Sequence, residues 1–328
     1  MKTGHPIIDD SSAENLLAKK DAEGGVNQTL KPATSLGTVR QPQPISEISG
    51  ANDSGWKILN LEYLPSLGMF YPADAELTIR AASVSEIRHW STIDEFDKIS
   101  INEKLNFILE KCTRFKIRGQ NTWLGWQRIL DIDRFFIIFR IYELTFPNQE
   151  NKLYTHFKCN GTCTPPYSEK QQVRSGMLNL FTFPEELKRF YSEETRSILF
   201  ESEKIGGQIR LFLPNLGTYE RIRNYRLELR KNNTDLEPEF LKILPYLTNN
   251  PTLTKSEINA IKVDYMRWSN TKFFAVTKMV DMLEKEKKEI LSIKCPKCGN
   301  KITSPIFLDS SFSVKDLFFI SVRLDELI

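Results

Sequence analysis

Lys294-Cys295-Pro296-Lys297-Cys298-Gly299-Asn300 turns two thiols toward one point, and Gly299 supplies the left-handed backbone that such a turn needs. A tetrahedral zinc ion takes four soft donors. A second pair stands far upstream, in Phe157-Lys158-Cys159-Asn160-Gly161-Thr162-Cys163. Cys159, Cys163, Cys295 and Cys298 therefore read as one four-cysteine site for a structural zinc, with its halves 132 residues apart between Cys163 and Cys295. Four thiolates close the coordination shell and leave no position for a catalytic water. The metal then pins both ends of a subdomain, and structural zinc in small domains contributes on the order of 10 kcal/mol to folding. Two alternatives compete. The thiols pack unliganded as small hydrophobes, or Cys-Pro-x-Cys is a redox motif, which opens a helix. Gly299 to Thr303, followed by Pro305, reads instead as a turn and a short strand, which favours zinc. His156 stands close enough to the first pair to replace one thiolate; the competing reading is a strand position facing neighbouring side chains.

Working outward, the chain of 328 residues has room for one large domain or two small ones. Its formal net charge of +3, with 45 Lys and Arg against 42 Asp and Glu, argues against a nucleic-acid partner. No apolar run approaches the roughly 18 residues of a membrane span. The densest, Phe135 to Leu144, is bounded by Arg134 and interrupted by Arg140, and predicts a buried helix. The first residues show no charged-then-apolar signal pattern, and cysteines spaced for metal predict a reducing cytoplasm.

Residues 1–55 are polar, with scattered aliphatics, and predict a disordered or partner-ordered arm. From Trp56, Pro65, Gly68 and Pro72 impose an extended, turned path, and Leu77 to Arg80 reads as a strand. Ser83 with Glu86, Ser100 with Glu103, and Thr254 with Glu257 each fit a helix-capping box. The second would launch Leu105, Ile108, Leu109 and Cys112 on one face, making Cys112 a core residue. A further helix is expected over about 126–144. The third box opens a long amphipathic segment with a break at Ser269-Asn270, and its end, Glu284 to Glu289, reads as a solvated charged face. Gln172-Val173 and Gln208 to Leu213 read as strands. Arg221 to Lys231 is a basic helical stretch whose interspersed Glu220 and Glu228 favour a solvent face. The apolar end, Phe312 to Ile328, is expected to dock on the core or on a partner.

The expected fold class is α+β: a helical domain with short strands, stapled by a zinc-knuckle or ribbon-like site, behind a disordered arm. The boundaries predicted are an arm at 1–55, a mainly helical domain at 56–150, a zinc-stapled α+β domain at 151–310 and an apolar segment at 311–328.

Several stretches, taken as an ordered set, carry a resemblance. They are Leu64-Pro65-Ser66-Leu67-Gly68-Met69-Phe70-Tyr71-Pro72, Leu77 to Ile87, Asp133 to Ile141, Ile209 to Gly217, the Cys295–Gly299 knuckle and Asp316-Leu317-Phe318-Phe319. In these, running from about residue 60 to the end, the chain resembles the baseplate hub subunit and hub assembly proteins of contractile-tailed, T-even-type phages. The resemblance implies a non-enzymatic component that helps build the central hub of a tail baseplate, in the host cytoplasm during assembly or in the virion tail. Its implied partners are other hub and tail proteins, with no small-molecule substrate and no catalytic residues. Leu67, Met69, Phe70 and Tyr71 lie on a stiffened path suited to filling a partner groove; the alternative is that they pack within the chain.

Two other classes are weighed. A nucleic-acid-binding zinc ribbon would use Lys294, Lys297 and Lys301 around the knuckle, against a weak net charge. An enzyme would use Asp131 with Asp133, or Glu185 with Glu186, yet acids at helix starts are usually dipole partners or solvated.

Overall fold

Proline and glycine hold residues 64–72 out of regular structure. A turn at Leu61–Tyr63, capped by the Asn60 side chain, leads into consecutive tight turns closed by Leu67 N to Leu64 O and Met69 N to Ser66 O. Gly68 takes φ +70, and a Cβ there would lie 3.2 Å from the Leu61 Cβ, so any other residue at this turn would be strained and crowded. The computed structural model describes residues 55–120, 122–147, 153–159, 161, 163–232, 237–287, 290–305 and 314–318. The expected arm lies outside them apart from Gly55.

The strap at 64–72 packs over an antiparallel sheet of β1 (Lys57–Leu59), β2 (Ala75–Ile79) and β3 (Thr113–Ile117). Leu59 pairs with Leu77 and Leu77 with Phe115, and this row is the buried face. Two helices connect β2 to β3. In α1 (Val84–Trp90), Glu86 accepts from the Ser83 amide at 2.6 Å, as the capping pattern predicts. In α2 (Lys98–Cys112), Leu105, Ile108, Leu109 and Cys112 are buried as expected, but the start is corrected. Asp97 caps it, accepting from Ile99 N at 2.8 Å, while Ser100 Oγ accepts from Asp94 N. Asp97 has the extended backbone that a cap requires, and the helix begins one turn ahead of the Ser100–Glu103 box.

The helix expected over 126–144 is also shorter. Trp126–Arg128 and Asp131–Asp133 are single 3-10 turns, and α3 runs Arg134–Thr145. Ile129 and Leu130 are pulled into extended backbone by tertiary bonds: Leu216 N to Ile129 O at 2.9 Å and Asp131 N to Pro214 O at 3.0 Å. α3 itself is buried from Arg134 to Tyr142, the central position that its near-continuous apolar sequence predicts.

Two β-hairpins follow the same antiparallel rule far apart in sequence: β4 (Tyr154–Lys158) with β5 (Ser168–Gln172), and β9 (Ile290–Lys294) with β10 (Lys301–Pro305). Between them lie α4 (Glu185–Lys188) and a meander of β6 (Tyr191–Ser192), β7 (Ser197–Ser202) and β8 (Gly207–Leu211). Then come α5 (Leu216–Lys231), α6 (Pro238–Ile243), α7 (Lys255–Tyr265) and α8 (Asn270–Glu286). The Thr254–Glu257 box caps α7, and Ser269 caps α8 at the expected break. Val314–Phe318 packs Leu317 and Phe318 into the core, with the Phe318 ring 5.1 Å from that of Trp90. The rest of the apolar end lies outside the described residues.

One buried apolar cluster runs from Leu59 to Phe318, and a smaller one, including Ile222, Phe240 and Ile258, sits under α5 to α7. The fold is mixed α+β with small antiparallel sheets. Among the described residues no helix is long and apolar enough to cross a membrane. The charged face expected at Glu284 to Glu289 is corrected at Lys287. Its ammonium turns inward to Asp131 at 2.6 Å and to the Tyr219 hydroxyl at 2.8 Å. Lys288 and Glu289 lie outside the described residues.

Candidate metal centre

Each cysteine pair sits at the closed end of one hairpin. In the second, the Gly299 amide donates to Cys295 O at 2.9 Å and the Cys295 amide to Asn300 O at 2.8 Å. This folds Cys295 to Gly299 into a knuckle, with Gly299 at φ +74. In the first, the Cys159 amide donates to Tyr167 O at 2.8 Å, extending the β4–β5 ladder to the first thiol. The hairpins are joined beneath the thiols by the buried hydroxyls of Thr155 and Ser304, 3.1 Å apart. Ser292 Oγ donates to Asn179 Oδ1 at 2.7 Å and fastens the second hairpin to the body.

The result is a cluster of Cys159, Cys163, Cys295 and Cys298 whose sulfurs all lie within 4.8 Å of one another. Sγ separations are 3.9 Å for Cys159–Cys163, 3.7 Å for Cys159–Cys298 and 3.6 Å for Cys163–Cys295. A disulfide would need about 2.05 Å, so these are free thiols. A tetrahedral ion with metal–sulfur bonds of about 2.3 Å places its sulfurs about 3.8 Å apart. The donor set and its spacing are compatible with such an ion.

Local electrostatics favour anionic sulfur at one corner. Burial opposes a charge on Cys295, but the backbone amides of Cys298 and Lys297 outweigh it and lower the thiol to about 7. Cys163 is pushed up to about 12, chiefly by its contact with the Cys298 thiol and by burial. Four thiolates this close repel one another unless a cation sits among them. A Cβ on Gly161 would fall 2.8 Å from Asn300 Nδ2 and 3.3 Å from Cys159 Sγ, so a side chain there would have to displace the Asn300 amide at the edge of the cluster. His156 is not a member. It lies on β4 with Nε2 2.9 Å from Ser168 Oγ, facing a neighbouring strand as the competing reading has it. Cys112 is a core residue 3.6 Å from Glu86, its thiol raised to about 12 by burial and by that carboxylate.

Of the four residues on the strap, Phe70 and Tyr71 pack within the chain, the alternative reading for them. Phe70 packs on the Tyr191 and Phe183 rings at 5.2 and 5.9 Å, and Tyr71 on Phe115 at 5.7 Å. Tyr71 is thus buried against β3 and Phe70 against the β6 side, while Leu67 and Met69 remain half-buried.

The sequence marks Asp133 only as half of an acidic pair expected to be a dipole partner or solvated; it is buried beneath the strap instead. Asp133 is fully buried and accepts from Ser66 N at 2.8 Å, Ser66 Oγ at 2.7 Å and Tyr71 Oη at 2.9 Å. The Tyr71 oxygen in turn accepts from the Leu130 amide at 2.9 Å. Burial lifts the Asp133 carboxyl to about 7 although these donors pull it down.

No family model, curated protein or solved structure matches the chain.

Proposed function

We propose that this protein is a non-enzymatic, zinc-stapled component of the central hub of a phage tail baseplate, acting through protein–protein contacts. Zinc is the ion assigned to Cys159, Cys163, Cys295 and Cys298, because four thiolates in a tetrahedral set are its preferred structural shell. The bound ion would supply a cross-link between two hairpins. The chain's own residues set the spacing, with Cys159 and Cys295 buried and Cys163 and Cys298 half-buried.

The observation that carries the reading is where the resembling stretches meet. The strap at Leu64–Pro72 reaches Asp133, the first residue of the Asp133–Ile141 stretch, through Ser66 and Tyr71. The Ile209–Gly217 stretch joins just ahead of it, through Pro214 O to the Asp131 amide and the Leu130–Asn215 bridge. Segments that resemble one family in sequence thus converge on a single node, which supports a shared scaffold. Leu67 and Met69 keep exposed surface at that node for a neighbouring subunit.

The test is quantitative mass spectrometry of purified phage particles and of tail-assembly intermediates. A fixed small copy number in both identifies a resident hub subunit, and presence in intermediates alone an assembly factor. Absence from both overturns the baseplate reading.

A further inference from the structure

The face of the β1–β2–β3 sheet opposite the core row carries a ladder of alternating cations and indoles. The Arg80 and Arg114 guanidinium carbons lie 5.4 and 4.1 Å from the centre of the Trp56 ring. Arg114 is also 5.6 Å from the Trp123 ring, and the Lys116 ammonium 5.0 Å from it. Register explains the arrangement. Arg114 and Lys116 stand two apart on β3, opposite Thr78 and Glu76, and so share one face. Trp56 is 9% exposed, covered by its two guanidinium neighbours, whereas Trp123 is 47% exposed.

Charge along the ladder is unevenly balanced. Arg80 is held by both oxygens of Glu86, at 2.6 and 3.0 Å, and Lys116 by Glu76 at 3.0 Å. Among the described residues Arg114 has no carboxylate partner, and it is exposed. Ring contacts fix its position, so a planar five-donor cation is pre-oriented beside an open indole. Tryptophan and arginine are among the residue types enriched at the energetic hot spots of protein interfaces.

We propose that this face docks an acidic segment of a partner protein. A carboxylate of that segment is taken by the Arg114 guanidinium, and the neighbouring peptide lies over Trp123. A nucleic-acid strand fits less well. It brings a phosphate with every nucleotide and is held by several unpaired cations, while this ladder offers one and carries the carboxylates of Glu76 and Glu86. The proposal stands on this face alone and is independent of the assembly in which the protein works.

Its test is a titration of the full-length protein at low ionic strength with hexaglutamate, hexaglutamine and a thymidine hexanucleotide, following the Trp123 indole resonance by NMR. Trp123→Phe assigns the signal. Hexaglutamate is expected to shift it saturably and hexaglutamine not at all. Affinity is expected to fall about ten-fold in Arg114→Gln; the variant keeps the β2–β3 pairing and folds, with a small drop in melting temperature from the lost stacking on Trp56. An absent shift, equal affinity in Arg114→Gln, or tighter binding of the oligonucleotide overturns the proposal.

Discussion

Tyr71→Phe removes one oxygen from the middle of the core and leaves the ring where it packs. That oxygen donates to Asp133 Oδ2 and accepts from the Leu130 amide, both at 2.9 Å, in a setting where Tyr71 is 2% exposed and Asp133 0%. Losing a hydrogen bond to a carboxylate costs about 1.5–3 kcal/mol, and orphaning a buried amide costs about 1–3 kcal/mol more. The expected destabilisation is therefore about 4 kcal/mol when Asp133 is ionised.

The loss depends on pH with a definite sign. Asp133 titrates at about 7 in the folded protein, above its unfolded value of about 3.9. The folded state thus holds this proton more tightly, and the stability it contributes is full below about pH 4 and lost as pH rises through about 7. Removing the Tyr71 donor strips a stabiliser of the carboxylate form, so the variant loses most above pH 7 and about half as much at pH 5. Urea unfolding of both proteins at pH 5 and pH 8 reads this as a lower midpoint with an unchanged slope. Asp133→Asn should flatten the wild-type pH dependence between those values. A loss below about 1 kcal/mol at pH 8, or the same loss at both pH values, refutes the reasoning.

Native protein is expected to hold one zinc per chain, and chelation or Cys298→Ser to remove it. Freeing the 132-residue span from Cys163 to Cys295 costs about 5 kcal/mol by loop-closure entropy. Hydrogen exchange should quicken in β4, β5, β9 and β10 before the β1–β2–β3 sheet; a metal-free preparation whose melting ignores added zinc refutes the staple. Gly217→Ala puts a Cβ 2.4 Å from Pro251 O and 2.7 Å from Gln127 Cβ. A backbone carbonyl cannot retreat as a flexible side chain does, so thermal unfolding should show a loss of about 1–3 kcal/mol. Asp97→Ala should cost about 1 kcal/mol and Ser100→Ala only a few tenths, since Asp97 makes the α2 cap; equal effects in thermal melts would restore the Ser100 box.

Signals that act within a few residues are legible in the sequence. The Cys295–Gly299 turn, the Ser83 and Thr254 caps, the break at Ser269 and the strap imposed by Pro65, Gly68 and Pro72 each follow from the side chains of adjacent positions. The four-cysteine cluster is legible for the same reason: thiols are few, and their spacing within each pair is a local property. Placement of both pairs in one cluster rests on hairpins that meet only in the folded chain.

Tertiary structure decided the rest. Asp131 and Asp133 look alike in sequence, yet one faces Lys287 and the other is buried under donors 62 and 67 residues away. No local pattern encodes partners at that distance. The same holds for Ile129 and Leu130, drawn out of a helix by the Pro214–Leu216 backbone, and for Lys287, drawn out of a solvated run by Asp131. In a chain of this composition the sequence by itself sets caps, turns and thiol spacing, because their energies depend on neighbouring residues. Which polar groups are buried, and with whom, is settled by packing, because a buried charge or amide is stable only where the folded chain brings its partner.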